Sequence, residues 1–407
     1  MTTPATTNKT LVLAYSGGLD TSVAIQWLKE NKGYDIIACA ADIGQAQPGE
    51  MDRVRQRALD CGAVESIVVD AKDEYATDFV APAIAANAMY MGKYPLVSAL
   101  SRPLITRHLV AVAKEHGAVG IAHGCTGKGN DQVRFEVTAM AIAPELRVVA
   151  PIREWGLSRE ESIGWAQERG IPIPVKKDSP YSFDENLWGR TAECGILEDP
   201  WASPPEEVFE RSAALADTPD EAEEMIIRFE RGLPVAVDGR EMGLVELIAE
   251  VDTRAGAHGV GRIDMVEDRL VGIKSREIYE CPGAITLLAA HRDLEDLTLE
   301  QELAQEKRAV EGRYAQLIYN GLWYTPLKEA LDAFIAVSQR YVTGEVRMSL
   351  YKGTASVAGR RSDLALYDHD LATYDAEDAF DHTQSEGFVK LWGLPTKVWS
   401  AKQGHIK

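Results

Sequence analysis

The chain has 407 residues, 45% apolar and 26% charged, with 63 Asp plus Glu against 43 Lys plus Arg and a formal charge of −20. That size and composition fit two or three globular domains with a sizeable core, not a disordered or membrane-embedded chain. The acidity excludes a nonspecific nucleic-acid binder and a partner of anionic membrane surfaces, while a local phosphate site still needs only a few N–H groups and cations.

The N-terminal part alternates strand and helix patterns. Residues 11–15 (LVLAY) predict a buried strand and 21–30 a helix, with further strands at 35–41 and 66–70. A helix is expected over 101–116, with Pro103 in its first turn and Gly117 just past its end, followed by strands at 119–122 and 147–150. Strands alternating with helices predict a doubly wound parallel sheet, with ligands at the carboxyl ends of its strands. Residues 171–182 (IPIPVKKDSPYS) then read as a crossover between domains. Beyond it, hairpins are expected at the turns Asp238-Gly239 and Lys352-Gly353, and helices over 243–250, 284–293, 299–319 and 325–341. The fold class is therefore α/β: a parallel-sheet domain over 1–172, an α+β domain over 173–367 and a polar tail over 368–407. Cys39, Cys61, Cys125, Cys194 and Cys281 are an odd, scattered set with no C-x-x-C pair, which fits reduced thiols in a cytoplasm and predicts no metal site. The N-terminal MTTPATTNKT has no apolar core of a secretory signal, and no apolar run approaches a membrane span of ~18–20 residues.

The strongest chemical signal is Ala14-Tyr15-Ser16-Gly17-Gly18-Leu19-Asp20-Thr21-Ser22, between a predicted strand and a predicted helix. Two glycines allow a sharp turn and a close backbone approach, and the helix start offers N–H groups to an anion. Ser16, Thr21 and Ser22 add hydroxyl donors. The pattern is neither G-x-x-x-x-G-K-[ST] nor G-x-G-x-x-G. It resembles the PP-loop of ATP pyrophosphatases, which implies a cradle for the pyrophosphate leaving an attacked α-phosphorus, with adenine against the next strand near Ala41. The same residues would also serve as a capped strand-to-helix turn without a ligand.

A second glycine loop, His123-Gly124-Cys125-Thr126-Gly127-Lys128-Gly129-Asn130, leads into a helix carrying Asp131 and Arg134. An amide, a carboxylate and a guanidinium within about one turn suit a zwitterionic ligand, although a solvated helix start also favours Asn and Asp.

These two loops together with Lys93-Tyr94-Pro95, Ser182-Phe183-Asp184-Glu185-Asn186-Leu187, Gly259-Val260-Gly261-Arg262-Ile263-Asp264 and Lys274-Ser275-Arg276-Glu277-Ile278-Tyr279-Glu280 resemble the argininosuccinate synthase family over residues 11–360. The resemblance implies a homotetrameric ligase of arginine biosynthesis that joins L-citrulline to L-aspartate, with ATP as co-substrate, Mg²⁺ on its phosphates, and AMP and pyrophosphate as products. The division becomes a PP-loop ATP-binding domain (1–172), a synthetase and multimerisation domain (173–367) and a tail in oligomer contacts (368–407). ATP would meet residues 14–22, Ala41 and Gly124. Aspartate would meet Thr126, Asn130 and Asp131. Citrulline would meet Tyr94, Asn130, Arg134, Ser182, Thr191, Glu267 and Tyr279, and Ser16, Asp20 and Asp131 are the catalytic candidates. Ser98-Ala99 departs from a commoner Thr-Ser, which puts a side-chain contact at Ala99 in doubt, whereas Thr191 keeps the hydroxyl of the usual Ser. Without the resemblance, Tyr94 and Tyr279 read as core tyrosines, Glu267 as a surface charge, and Ser182 as the cap of a helix starting at Phe183.

Other PP-loop enzymes share the first loop. Paired cysteines for an RNA thiolase and a glutaminase segment are not evident here, and a nucleotide sensor would leave the Asn130, Asp131, Arg134 set unexplained.

Overall fold

The computed structural model describes residues 9–172, 180–375 and 378–404. The first strand, β1 (Thr10–Ala14), feeds α1 (Leu19–Lys32), and β2 (Asp35–Asp42), α2 (Glu50–Asp60) and β3 (Glu65–Asp70) follow. A helical segment, α3 (Lys72–Tyr75), a π-turn and α4 (Ala81–Ala85), leads to the long α5 (Val97–Glu115). Then come β4 (Gly120–Ala122), α6 (Asp131–Ile142), β5 (Arg147–Val149), α7 (Pro151–Trp155) and α8 (Arg159–Glu168). The five strands are parallel, in the order β3-β2-β1-β4-β5. Leu11 and Leu13 pack with Val23 and Leu28 of α1 on one face, and Val12 packs with Leu109 and Phe135 on the other. Alternate residues of one strand thus feed two cores, as the period of two requires for a sheet covered on both sides. The expected α/β class is observed.

Helix α5 starts a turn earlier than the sequence suggests, because Leu96 takes a left-handed φ of 68° and caps it. Pro103 consequently lies inside the helix and not in its first turn. It cannot donate to the Ala99 carbonyl, but it is buried among apolar neighbours that hold the helix together.

Residues 173–179 of the expected crossover lie outside the described residues. After them, β6 (Ser182–Asn186) and β7 (Gly189–Glu193) form a hairpin, so Ser182 opens a strand and caps no helix. Next come β8 (Glu223–Glu230), β9 (Leu233–Val237), β10 (Arg240–Glu241), α9 (Leu244–Ala257), β11 (Arg262–Asp268) and β12 (Lys274–Glu280). The unit closes with α10 (Pro282–Thr298), α11 (Gln301–Tyr319), α12 (Pro326–Ser338), β13 (Gly344–Tyr351) and β14 (Thr354–Arg361). Two antiparallel sheets result, β10-β9-β8-β13-β14 and β11-β12-β7-β6. Both expected hairpins form, with left-handed Asp238 and Lys352 before their glycines.

The compact unit ends at Leu364. The second unit, Ala365–Lys407, contains α13 (His369–Ala372), α14 (Thr383–Trp392) and α15 (Leu394–Gln403), with Phe388, Leu391, Trp392 and Trp399 exposed on it.

A buried polar cluster ties Asn87, just after α4, to the helices behind the second sheet. Its Nδ2 donates to Glu295 Oε2 and Glu311 Oε1, both at 2.7 Å. Lys307, 1% exposed, donates to Glu311 Oε1 at 2.8 Å and lies 2.9 Å from Glu295 Oε1. His291 lies 2.7 Å from Asn87 Oδ1 and 2.8 Å from Gln339 Oε1. Removing one member of a buried ion cluster leaves the others uncompensated. Lys307→Met is therefore expected to cost roughly 3–5 kcal/mol, read as a lower denaturant midpoint. An unchanged midpoint would show that the cluster contributes nothing net.

Candidate active site

The order β3-β2-β1-β4-β5 reverses direction between β1 and β4, which is the switch point where sheets of this kind take ligands, at the carboxyl ends of the strands. The two glycine loops leave β1 and β4 at this point. Gly17 has φ 76° and Gly18 is the extended N-cap of α1. A Cβ at Gly124 would lie 2.9 Å from Thr21 Cγ2, so glycine lets the second loop close onto the first.

Ser16 is exposed, its hydroxyl 3.2 Å from that of Thr21, and it accepts a long 3.3 Å bond from Gly18 N. Asp20 is exposed in the first turn of α1, beside Leu19. Ser22 differs from the expectation of a hydroxyl offered to the ligand. It is fully buried, with its Oγ 3.0 Å from the Tyr15 hydroxyl, so both side chains brace the loop from behind. Arg57 of α2 braces it from the side, donating to Gly17 O at 2.7 Å. Ala41 is the last residue but one of β2 in the same sheet, and its carbonyl accepts from Gln45 Nε2 at 2.7 Å.

The second loop carries exposed Thr126 and runs into α6, with Asn130 at the N-cap. Asn130 Nδ2 donates to the Tyr319 hydroxyl at 2.7 Å, and Asn130 Oδ1 accepts from Leu270 N at 2.9 Å. Asp131 lies between two guanidiniums. Arg102 of α5 donates to Oδ2 through Nε at 2.9 Å and Nη2 at 2.7 Å, and Arg134 Nη1 donates to Oδ1 at 2.7 Å. Burial raises the proton affinity of Asp131, but Arg102 and Arg134 outweigh it and hold the carboxyl at about 2. Arg134 is 4% exposed and its Nη2 is buried without a protein partner.

The opposite wall is one face of the sheet β11-β12-β7-β6. Asp184 pairs with Thr191 and Thr191 with Tyr279, so their side chains share that face. Ser182 pairs with Glu193, and Ser275 with Glu267. Tyr279 donates to Glu267 Oε2 and Tyr319 to Glu267 Oε1, each at 2.9 Å. Glu267 is 4% exposed, so it is no surface charge. Tyr94 stacks on Tyr279 at 4.2 Å, and its hydroxyl accepts from Ser98 N at 3.0 Å. Ser98 Oγ donates to Asp184 Oδ2 at 2.6 Å, which occupies the hydroxyl, and Ala99 is fully buried with no polar side chain to offer. Thr191 Oγ1 is buried without a partner. Two unpaired buried polar groups beside a cleft, Arg134 Nη2 and Thr191 Oγ1, are what a polar ligand would satisfy.

Sequence reasoning missed Arg102, Asp184 and Tyr319 as parts of this site. Arg102 lies one helical turn beyond Ser98 among the apolar Leu100, Pro103 and Leu104, and Asp184 alternates with Ser182, so the periodicities held a signal.

A family model described as the arginosuccinate synthase N-terminal HUP domain matches residues 10–172, and one for the arginosuccinate synthase C-terminal domain matches 181–399. The argininosuccinate synthase of Geobacillus sp. (strain WCH70) is 59% identical over 394 residues, covering 97% of each chain. The chain belongs to the argininosuccinate synthase family. The Bacillus subtilis (strain 168) member is 59% identical over 390 residues, 96% of each chain, and that of Oceanobacillus iheyensis 57% over 398 residues, 98% of this chain and 95% of that one. Membership makes the chain a ligase. Among solved structures, a U34-tRNA thiolase from Methanococcus maripaludis superposes with a TM-score of 0.29 at 17% identity, over 43% of this chain and 61% of that one, too slight a likeness to bear on fold or function.

Asp131, with its depressed folded pKa, stabilises the protein above its unfolded pKa of about 3.9, and that stability fades as pH falls toward about 2. Asp131→Asn is expected to be less stable than the parent by about 2–3 kcal/mol at pH 6. The gap should close between pH 4 and pH 2. A constant gap over that range would contradict an ionised Asp131 between the two arginines.

Proposed function

We propose that the chain joins L-citrulline to L-aspartate with ATP, releasing AMP and pyrophosphate through a citrullyl-AMP ester, as an AMP-forming C–N ligase. The observation carrying this reading is the meeting of two glycine loops at the switch point, opposite a wall with buried, unpaired polar groups. The loop at 14–22 would hold ATP phosphates, with Ala41 and Gly124 beside the nucleotide. Thr126, Asn130 and Asp131 would bind aspartate. Asp131 Oδ1 retains one acceptor site for the ammonium after pairing with Arg134. Tyr94, Ser98, Asn130, Arg134, Ser182, Thr191, Glu267 and Tyr279 would bind citrulline, with its carboxylate on Arg134 Nη2 and its ammonium toward Glu267. Ala99 would contribute only shape.

A ureido carbonyl is a poor electrophile. Attack of its oxygen on the α-phosphorus turns that oxygen into a good leaving group, and pyrophosphate departs into the loop donors. Ser16 Oγ, which makes only long contacts with Gly18 N and the Thr21 hydroxyl, would donate to it. Alignment and prepositioned donors are the chain's main contributions. Among the described residues no three metal-ligating side chains converge. Asp20, the carboxylate of the first loop, would hold Mg²⁺ beside the ATP phosphates, where the ion would supply charge neutralisation.

We assign ATP binding to 1–172, synthesis and multimerisation to 173–367, and oligomer contacts to 368–407 in a homotetramer; the exposed Phe388, Leu391, Trp392 and Trp399 support self-association of that last segment. A monomeric mass at micromolar concentration would overturn that assembly. The scattered cysteines, with no C-x-x-C spacing, support a cytoplasmic location, and no described helix is long and apolar enough to cross a membrane.

Ureido ¹⁸O is expected in AMP; label left in the amino-acid product or found in inorganic phosphate would sink the ester route. Ser16→Ala should lower kcat by on the order of a hundredfold, since losing one donor to a developing charge costs about 3 kcal/mol. A raised citrulline KM at unchanged kcat would contradict that assignment.

A further inference from the structure

The second half of the reaction needs a proton acceptor. Aspartate arrives as an ammonium, and only its neutral amine attacks carbon. Asp131 lies in the right loop but is a weak base, because Arg102 and Arg134 hold it at about 2. Another pair of carboxylates lies on the same wall, unused by the steps above.

We propose that Glu193 and Glu277, bridged by Arg269 beside the second glycine loop, form the proton acceptor for the aspartate ammonium. This rests on the reading of the site as an argininosuccinate synthase centre. Ile278 pairs with Ala192 and Tyr279 with Thr191, so one step further along the antiparallel register Glu277 stands opposite Glu193. Both then project on the face that carries Thr191 and Tyr279. One atom, Arg269 Nη2, donates to Glu277 Oε1 at 2.5 Å and to Glu193 Oε2 at 3.1 Å. Ser275 Oγ donates to Glu277 Oε1 at 3.0 Å. The arginine also ties the pair to the proposed aspartate loop. Arg269 Nη1 donates to Lys128 O at 3.3 Å, and the next residue, Leu270, donates its N–H to Asn130 Oδ1.

The two carboxylates share one cation in acidic surroundings. Asp131 of α6 and Asp184 of β6 act on Glu193, and Glu267 of β11 acts on Glu277. Burial first, and then the charge of Glu193, push Glu277 up to about 7 against the pull of Arg269. Burial likewise raises Glu193. Such a pair retains one proton near neutrality and takes up another more readily than Asp131 does. The Glu193 side chain is 41% exposed and that of Glu277 5%, so Glu193 is the accessible member and Glu277 the buried one behind it.

In the step, a carboxylate oxygen of the pair takes a proton from the ammonium, and the electrons of that N–H bond stay on nitrogen. They form the new bond to the activated ureido carbon. The C–O bond to AMP breaks with its electrons on the phosphate oxygen, which takes the second proton of the nitrogen. The pair returns its proton to water.

The test uses the full-length enzyme with Glu193→Gln and, separately, the more buried Glu277→Gln. Rapid quench with ATP and citrulline but no aspartate reads the first step, and kcat/KM for aspartate from pH 6 to pH 9 reads the second. Pyrophosphate formation should stay within a few-fold of the parent. At pH 7 kcat/KM for Glu193→Gln should fall on the order of a hundredfold, a usual share for a general base. That deficit should shrink as rising pH supplies free amine, and Glu193→Asp should restore part of the rate. Glu277→Gln should lower the apparent pKa of the acidic limb. A loss equal at all pH values, an unchanged aspartate profile, or collapse of both steps together would overturn the proposal. Failure of the unmodified enzyme to make pyrophosphate with citrulline would instead overturn the underlying reading.

Discussion

The site depends on the carboxylate of Asp131 being held by two arginines from different helices. Arg102 reaches it from α5 and Arg134 from within α6, and Arg102 Nη2 continues to Asp184 Oδ2 on β6 at 2.5 Å. This chain of charges crosses from the parallel sheet to the antiparallel one, so it fixes the distance between the cleft's two walls. The guanidiniums of Arg102 and Arg134 are largely buried, and such charges persist only when each is matched. The matching is close: Ser98 donates to the same Asp184 oxygen, and Arg134 Nε to the Tyr319 carbonyl at 3.1 Å. The walls are therefore held at a fixed separation by the chain's own residues, which is how alignment contributes to rate.

The charge distribution then separates the ligands by sign. One end of the cleft is a glycine loop at a helix N-terminus, built of N–H donors and hydroxyls that suit phosphate. The other end gathers Asp131, Asp184, Glu193, Glu267 and Glu277 around Arg102, Arg134 and Arg269. Carboxylates outnumber guanidiniums there, so on the proposed function that end would favour the ammonium groups of amino acids and repel a triphosphate. The chain's overall charge of −20 is thus compatible with ATP, because the attraction is local and made by backbone dipoles.

Legibility in the sequence follows from how local each feature is. The first loop is nine consecutive residues between a strand and a helix, so it could be read directly. The parallel sheet was equally plain, since its alternating pattern recurs along the chain. Arg102, Asp184 and Tyr319 were not legible as a group. They are 82 and 135 or more residues apart and meet only when α5, β6 and the end of α11 pack together. Ser22 misled for a related reason: its type matches a phosphate donor, but helix geometry turns its hydroxyl to Tyr15. Glu267 read as a surface charge because its two tyrosine partners come from β12 and α11.

The same contrast explains how one loop can serve enzymes with different substrates. A phosphate cradle made of backbone N–H groups carries no information about the nucleophile that will attack. In the proposed reaction that information would come from the opposite wall, where Thr191, Glu267 and Tyr279 sit on three antiparallel strands and Tyr94 stacks on Tyr279. Period-two geometry places those side chains on one face at spacings set by the sheet and not by flexible loops. The phosphate end can therefore stay constant while strand residues change, and each change on that face alters which amino acid fits without disturbing the donors at Gly17 and Gly18. On the proposed function, specificity is a property of the antiparallel sheet's register, and activation is a property of the turn after β1.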